Sequence, residues 1–528
     1  MHNCFKRFSV FVECSTGSTP KVQTLKNYID LISAFGYNEM YLGCTDAYKI
    51  EGEPYFNYKR GGYTKAEFRE LDAYAKSRGV TLIASVQTLA HLHFMSRHNV
   101  YSGLFDTDDI LLVGEEKVYR FIEKIFATIS EGLSCRRIHI GFDEAFGLGT
   151  GNYLKRNGFK KKRELLAEHL GKVTEIARRY GYTCEIWSDM FLHVTEGEDT
   201  SEIQIPDNVE LITWEYDEQR GDVLDGLISR TKTLCDRAGY AGAAWKINGF
   251  APQNAYSLSR LLPQMRSCLN NGIEHFIITL WSDAGGLVSI FSVLPVLYAA
   301  ARFARGDWNG EGAPDKGEFE KITGLSYDEL NSLEYLNDPF KKNILTKNSR
   351  SYWCLFNDIL LGNYDLYLSE GTNGQYARLA EEYEAIGGGT YRYLFEEAAS
   401  LARLLSVKAE LGLEVRSAYK KRDKIALKKI ADESFPLLYI RLAEFTEKFE
   451  AYWERENMAF GAECVQLLLG GQSSRYRYIE KKIRGYVERD ESIEELETET
   501  LLPSIIPQTD EDSCFEMNWR LLTSFCGI

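Results

Sequence analysis

Asp143 and Glu144 stand side by side at the end of the run Arg136-Arg137-Ile138-His139-Ile140-Gly141-Phe142. Two adjacent carboxylates are costly unless they differ in protonation or partner. The pair therefore suits chemistry in which one acid stays ionised while the other carries a proton; a helix-capping acid beside a solvated neighbour is the alternative. The preceding run alternates, with Ile138, Ile140 and Phe142 on one face and His139, Gly141 and Asp143 on the other. That pattern predicts a short buried strand, Arg137–Phe142, ending on the acids. Glu144 falls where the strand gives way to Gly147-Leu148-Gly149-Thr150-Gly151, and there the alternation can break, turning both acids toward one cavity.

Such acids need a frame, and the first 300 residues supply an alternating one. Short apolar runs predict strands at Ser9–Cys14, Glu39–Leu42, Thr81–Val86, Arg137–Phe142, Thr183–Trp187, Glu210–Trp214, Ala243–Lys246 and His275–Leu280. Amphipathic stretches between and after them predict helices, among them Lys21–Phe35, Lys65–Arg78, Glu115–Glu131, Lys161–Tyr180, Ser257–Asn271 and Val293–Ala304. Eight strands each followed by a helix describe a (β/α)8 TIM barrel. A doubly wound sheet would gather its polar residues at one switch point, whereas here they follow nearly every strand. The turn-rich Asp307–Pro314 marks a boundary. We expect a barrel over 1–306, a linker over 307–316 and an all-α C-terminal domain over 317–528. In the last, Phe435, Leu438, Tyr439, Leu442, Phe445, Phe449 and Tyr452 define one helix face, as do Leu394, Ala398, Leu401 and Leu405. Lys420-Lys421-Arg422-Asp423 reads as a solvated turn, Glu491–Glu499 as exposed, and Phe515–Phe525 as an apolar tail packing back on the bundle.

The predicted strand ends carry a consistent set of side chains. Asp46 and Tyr48 follow strand 2, His91 follows strand 3, and Trp187, Trp214, Trp245 and Trp281 lie at or near the ends of strands 5 to 8. A single such tryptophan is most often core. Four at equivalent positions read as aromatic walls for a sugar, because indole faces stack on apolar sugar faces and acetamido methyls.

His139-Ile140-Gly141-Phe142-Asp143-Glu144 resembles the signature His-x-Gly-x-Asp-Glu of glycoside hydrolase family 20, the β-N-acetylhexosaminidases. Arg60-Gly61-Gly62-Tyr63-Thr64 with the following helix, His91 and the four tryptophans extend the likeness over about 1–305; a helical C-terminal domain resembles a compact bacterial subgroup. The resemblance implies retaining hydrolysis of terminal β-linked N-acetylglucosamine or N-acetylgalactosamine through an oxazolinium intermediate, an exception to the usual two-carboxylate scheme. It makes Glu144 the general acid and base, with a raised pKa, and Asp143 the ionised residue that orients the acetamido group. Tyr216 becomes the hydroxyl that binds the acetamido oxygen, and His91, backed by Asp46, a relay to Glu144. Asp283 matches an acid that holds the 4- or 6-hydroxyl. Where the family has an arginine after strand 1, this chain has Glu13-Cys14-Ser15-Thr16-Gly17. Sugar hydroxyls then fall to Glu13 or Arg60, and gluco versus galacto preference stays open.

Composition narrows the alternatives. A net charge of −15 disfavours nucleic acid and anionic membrane as partners. Scattered Cys and His point to no metal, no cofactor and a reducing, cytoplasmic compartment. The N-terminal residues do not read as a secretory signal, and no run reaches the length of a membrane helix. The helical domain offers a surface for a homodimer. Two other readings compete: a double-displacement glycosidase using Glu215 or Asp283 as nucleophile, and a sugar-binding protein on a catalytically retired barrel.

Overall fold

The computed structural model describes residues 4–192, 204–283, 285–342 and 345–498. They form two compact units. The first comprises the described residues of 1–244, 257–281 and 296–315, and the second those of 245–256, 282–295 and 316–528.

Strands β1 (Arg7–Glu13), β2 (Glu39–Gly43), β3 (Thr81–Ser85), β4 (Arg137–His139), β5 (Thr183–Trp187), β6 (Val209–Trp214), β7 (Ala238–Ala243) and β8 (His275–Leu280) follow one another along the chain. They pair in that order into a closed barrel, with β1 parallel to β8 at the closure. Parallel neighbours need long crossovers. Helices α1 (Val22–Phe35), α2 (Lys65–Ser77), α3 (Glu116–Gly132), α4 (Lys162–Arg179), α5 (Gly221–Leu234), α6 (Asn254–Asn270) and α7 (Leu294–Ala304) alternate with the strands. Local sequence starts α2 crisply: Thr64 and Glu67 form a reciprocal capping box. Among the described residues, β5 is followed by a helix of four residues, Asp189–Leu192.

Two strands depart from expectation by more than two residues. β4 ends at His139, because Gly141, Phe142 and Glu144 all take positive φ (77°, 78° and 50°) and leave the pleat. The seventh strand lies at Ala238–Ala243, ahead of the expected Ala243–Lys246. Its Ala-Gly composition lacks the β-branched signal of a strand, yet close packing requires small residues there. A Cβ on Gly239 would come 2.7 Å from Ile212 Cδ1, and one on Gly242 2.6 Å from Leu261 Cδ2.

The barrel interior is filled in layers, as such barrels require. At the N-terminal ends of the strands, Arg7 donates to Glu39, Glu185 and Glu210 and to the Tyr41 hydroxyl. Arg137 donates to Glu39 and Glu185, and His275 Nδ1 lies 2.7 Å from Glu210. Buried charges persist only when paired in this way. Above them Phe11, Tyr41, Ile83, Trp187, Ile212, Ala241 and Ile277 form an apolar layer. Among the described residues, Glu185, Glu210 and His275 also bring three ligand atoms within 4.8 Å of one another, but Arg7 already supplies positive charge to both carboxylates.

The second unit is helical, as expected. It includes α8 (Thr372–Ala385), α9 (Arg392–Lys408), α10 (Phe435–Glu456) and α11 (Ala462–Arg489). The predicted α10 face is buried at Phe435, Leu438, Leu442, Phe445, Phe449 and Tyr452. Tyr439 sits half-buried beside that face and donates to Glu480 at 2.7 Å. Leu394, Ala398, Leu401 and Leu405 of α9 are all buried. Lys420–Asp423 is an exposed turn, with Asp423 capping the helix after it. Within Glu491–Glu499 the described acids are mostly exposed while Ile493 and Leu496 are buried. Phe515–Phe525 lies outside the described residues.

Candidate active site

The acid pair sits where β4 has just left its pleat. In a regular strand adjacent side chains point to opposite faces, so the positive-φ residues are what allow Asp143 and Glu144 to approach one partner. That partner is His91. Its Nε2 lies 3.1 Å from Asp143 Oδ2 and 3.6 Å from Glu144 Oε2. His91 itself has φ +57° and is held in that conformation by Asp109, whose carboxylate accepts from the backbone N–H groups of His91 and His93, both at 3.2 Å.

Electrostatics assign the protons. Burial alone would lower the His91 pKa, but the hydrogen bond and charge of Asp143, with Asp109 and Glu144, outweigh it and push the imidazole up to about 9. His91 is therefore a cation at neutral pH. For Asp143, burial would raise the carboxyl, and the hydrogen bond and charge of His91 reverse that, holding it below the usual range. Gln87 adds a donor to Asp143 Oδ1 at 3.3 Å. Gly141 makes room for that amide, since a Cβ there would lie 1.9 Å from Gln87 Oε1. The Asp143 side chain is 15% exposed and that of Glu144 46%. One carboxylate is thus a shielded anion and its neighbour is open to solvent.

His139, from the same stretch, takes a structural place. Its Nδ1 accepts from the Gly141 N–H at 3.2 Å, its ring centroid is 4.3 Å from that of Trp187, and full burial lowers its pKa to about 4.

The other expected site residues separate into groups. Glu13, Arg60 and Asp46 come together around Ser15. Glu13 accepts from the Ser15 backbone N–H at 2.8 Å and from its hydroxyl, and Arg60 donates to the Ser15 carbonyl and pairs with Asp46 at 2.8 Å. Asp46 is thus spoken for by Arg60. The expected Asp46–His91 link is replaced by Asp109, which a hairpin bridge between Phe105 and Leu111 brings alongside His91. Trp214 stacks on Tyr216 with centroids 5.3 Å apart, and Trp281 Nε1 donates to the Tyr216 hydroxyl at 2.9 Å. Trp187, 2% exposed, is covered by Phe11, His139 and Trp281 and belongs to the barrel core, not to an open wall. Trp245 and Asp283 belong to the second unit. There Trp245 packs edge-on to Tyr256 at 5.4 Å, while Asp283 is exposed.

Gln87, Asp109 and Asp189 are the polar neighbours that the sequence did not mark for a role. Gln87 and Asp189 do lie just past strand ends, which is the one signal that could have found them. Asp109 sits in a loop and has no such signal.

A closed parallel barrel with an acid pair and a histidine just past β4 and β3 has the anatomy of a TIM-barrel enzyme. The model of the glycosyl hydrolase family 20 catalytic domain matches residues 20–227, and that of the Glycoside Hydrolase 20C C-terminal domain matches residues 326–514. The chain belongs to glycoside hydrolase family 20. Hexosaminidase D of Homo sapiens is 25% identical over 209 residues, covering 38% of this chain and 43% of that protein. Hexosaminidase D of Bos taurus is 23% identical over 281 residues, 52% of this chain and 78% of that protein. The match therefore spans less than half the length of the human relative. The crystal structure of a β-N-acetylhexosaminidase from Bacteroides fragilis superposes over 60% of this chain and 69% of its own, with a TM-score of 0.46 and 17% identity.

Proposed function

We propose that the protein is a retaining exo-β-N-acetylhexosaminidase that removes terminal β-linked N-acetylglucosamine or N-acetylgalactosamine by substrate-assisted catalysis. The observation that carries this reading is the pairing of both carboxylates with one imidazolium, at 3.1 and 3.6 Å. Asp143, kept ionised by His91, orients the acetamido group and stabilises the oxazolinium charge. Glu144, the solvent-open partner, protonates the leaving oxygen and then activates water. The nucleophile is the substrate's own acetamido oxygen, whose proximity replaces a protein nucleophile. Tyr216, fixed by Trp281 and stacked on Trp214, binds that oxygen, and Glu13 with Arg60 meets sugar hydroxyls.

Glu215 is a poor candidate for a covalent nucleophile, because it accepts from the backbone N–H groups of Asp217 and Glu218 at 2.9 and 3.2 Å and so caps its loop. A panel of nitrophenyl glycosides with and without the 2-acetamido group tests the reading. Turnover confined to acetamido substrates, with inhibition by a thiazoline, is expected. Turnover of plain glucosides with trapping by a 2-fluoro glycoside would replace it with double displacement, and tight binding without product would make the barrel a sugar-binding module.

The reading extends to a cytoplasmic enzyme, in keeping with nine described cysteines that are all free thiols. No described helix is long and apolar enough to cross a membrane. Leu437, Ile440 and Leu467 leave apolar surface exposed on α10 and α11, which supports a homodimer through the helical unit; light scattering that gives only a monomer at micromolar concentration removes that part.

A further inference from the structure

Asp189 is a carboxylate beside the acid pair that the mechanism above leaves unused. It opens the short helix after β5 and is 4% exposed. Its Oδ2 accepts from the backbone N–H of Glu144 at 2.9 Å, and its Oδ1 accepts from the indole Nε1 of Trp214 at 3.3 Å. The two donors come from different parts of the barrel, one after β4 and the other at the end of β6.

Each contact holds something that would otherwise move. Glu144 has φ +50°, a conformation that a non-glycine residue keeps only where its surroundings over-determine it. Trp214 is half-buried and carries Tyr216 on its face, so the angle of its indole also sets that hydroxyl. A carboxylate in this place is electrostatically awkward: burial and the charge of Asp143 both push its pKa up, against the pull of the Glu144 N–H. A neutral side chain would be easier to accommodate unless two acceptor oxygens were needed.

Building on the hexosaminidase reading, we propose that Asp189 is a positioning residue for the general acid. Its carboxylate fixes the Glu144 backbone, and with it the direction of proton delivery, while locking Trp214 in the same register.

The test is a leaving-group series. In Asp189→Asn only one oxygen remains to accept, so kcat on a poorly leaving phenyl N-acetyl-β-glucosaminide should fall on the order of 10- to 100-fold, toward the range of general-acid loss. On a dinitrophenyl substrate, which needs little protonation, the loss should stay within roughly threefold, with KM little changed. In a Glu144→Gln background Asp189→Asn should add almost nothing, as residues acting through one step are non-additive. Trp214→Phe removes the indole donor together with part of the ring on which Tyr216 stacks, and should slow all leaving groups alike.

Equal losses on every leaving group, additivity with Glu144→Gln, or a Trp214→Phe enzyme with the Asp189→Asn pattern would each overturn the proposal. If Asp189→Asn does not fold, Asp189→Glu keeps the charge but lengthens the arm, and should show the same selective loss; a wild-type response on the phenyl substrate would refute it. Wild-type protein with no turnover on any acetamido substrate sinks the parent reading. Wild-type turnover without a selective effect at Asp189 sinks this inference alone.

Discussion

Replacing His91 by Asn tests the electrostatics of the site most directly. Asparagine cannot carry charge, and its shorter amide stops short of the Nε2 position that meets both acids. In the folded protein His91 titrates near 9 against an ordinary 6.5, a difference of about 2.5 pH units, or roughly 3 kcal/mol of preference for the cation. Its side chain is 37% exposed, so solvent screening cuts the usable part to on the order of 1–2 kcal/mol. The sign is fixed by linkage: a group whose pKa is raised on folding stabilises fully below its unfolded value and loses that contribution as pH rises through its folded value. The stability gap between wild type and His91→Asn should thus be about 1–2 kcal/mol near pH 6 and vanish by about pH 10. Activity should follow the same group. The wild-type pH profile of kcat/KM on an aryl N-acetyl-β-glucosaminide should show a basic limb near 9, and His91→Asn should lose that limb as its rate falls on the order of 10²-fold. A mutant that keeps the limb, or whose stability gap is constant with pH, would show that His91 is not the cation pairing with Asp143.

Asp143→Asn should cost on the order of 10²-fold or more in rate on every leaving group, because the oxazolinium charge loses its counter-ion. Glu144→Gln should lose comparably on poor leaving groups and much less on good ones; a flat loss would remove Glu144 from the acid role. Gly141→Ala forces a Cβ into a φ of +77° and into the Gln87 amide, so a crystal structure should show Gln87 displaced from Asp143, with activity down about tenfold for the lost hydrogen bond to a charge. Glu185→Gln leaves Arg7 and Arg137 under-compensated in the barrel base and should cost about 3 kcal/mol in urea unfolding. Because the charges of Arg7, His275 and Arg137 overcome burial and hold the Glu185 carboxyl down near 2, that cost should be full above about pH 4.5 and shrink as pH falls toward 2.

What could be read from residues alone follows from the range of the interactions involved. β5 and β8 were legible to the residue, since Thr183–Trp187 and His275–Leu280 are short apolar runs with turn signals at their ends. β7 was not, because Ala238–Ala243 is chosen for close packing against Ile212 and Leu261, and small residues carry no strand signature. The acid pair and His91 announced themselves by type and by position past strand ends. Their partners did not: Asp109 reaches His91, and Asp189 reaches Glu144, only after the loops have folded back. The charged barrel base was invisible for a related reason. Arg7, Glu39, Arg137, Glu185, Glu210 and His275 are scattered along six strands, and only closure of the cylinder makes them one cluster. Trp187 shows the converse error, a strand-end aromatic whose ring turns inward.

The shortness of β4 and the chemistry of the acid pair are one fact seen twice. A strand continued through Phe142 would send Asp143 and Glu144 to opposite faces, and only one of them could meet His91. The chain instead spends three positive-φ residues within four positions, a strain of roughly 1–3 kcal/mol for each of Phe142 and Glu144. That strain persists because the segment is held on all sides. Ile140 N–H donates to the Glu185 carbonyl and Trp187 N–H to that of Gly141, so β5 grips the kink from one edge. Phe142 is fully buried against His169, which is itself fixed by Tyr119 and the Thr88 carbonyl. Asp189 takes the Glu144 N–H. Beneath, Glu185 is the residue of β5 that both accepts the Ile140 bond through its backbone and anchors Arg7 and Arg137 through its side chain. Glu185 thus joins the charged base of the barrel to the edge of the kink, so loosening it should lower activity as well as stability.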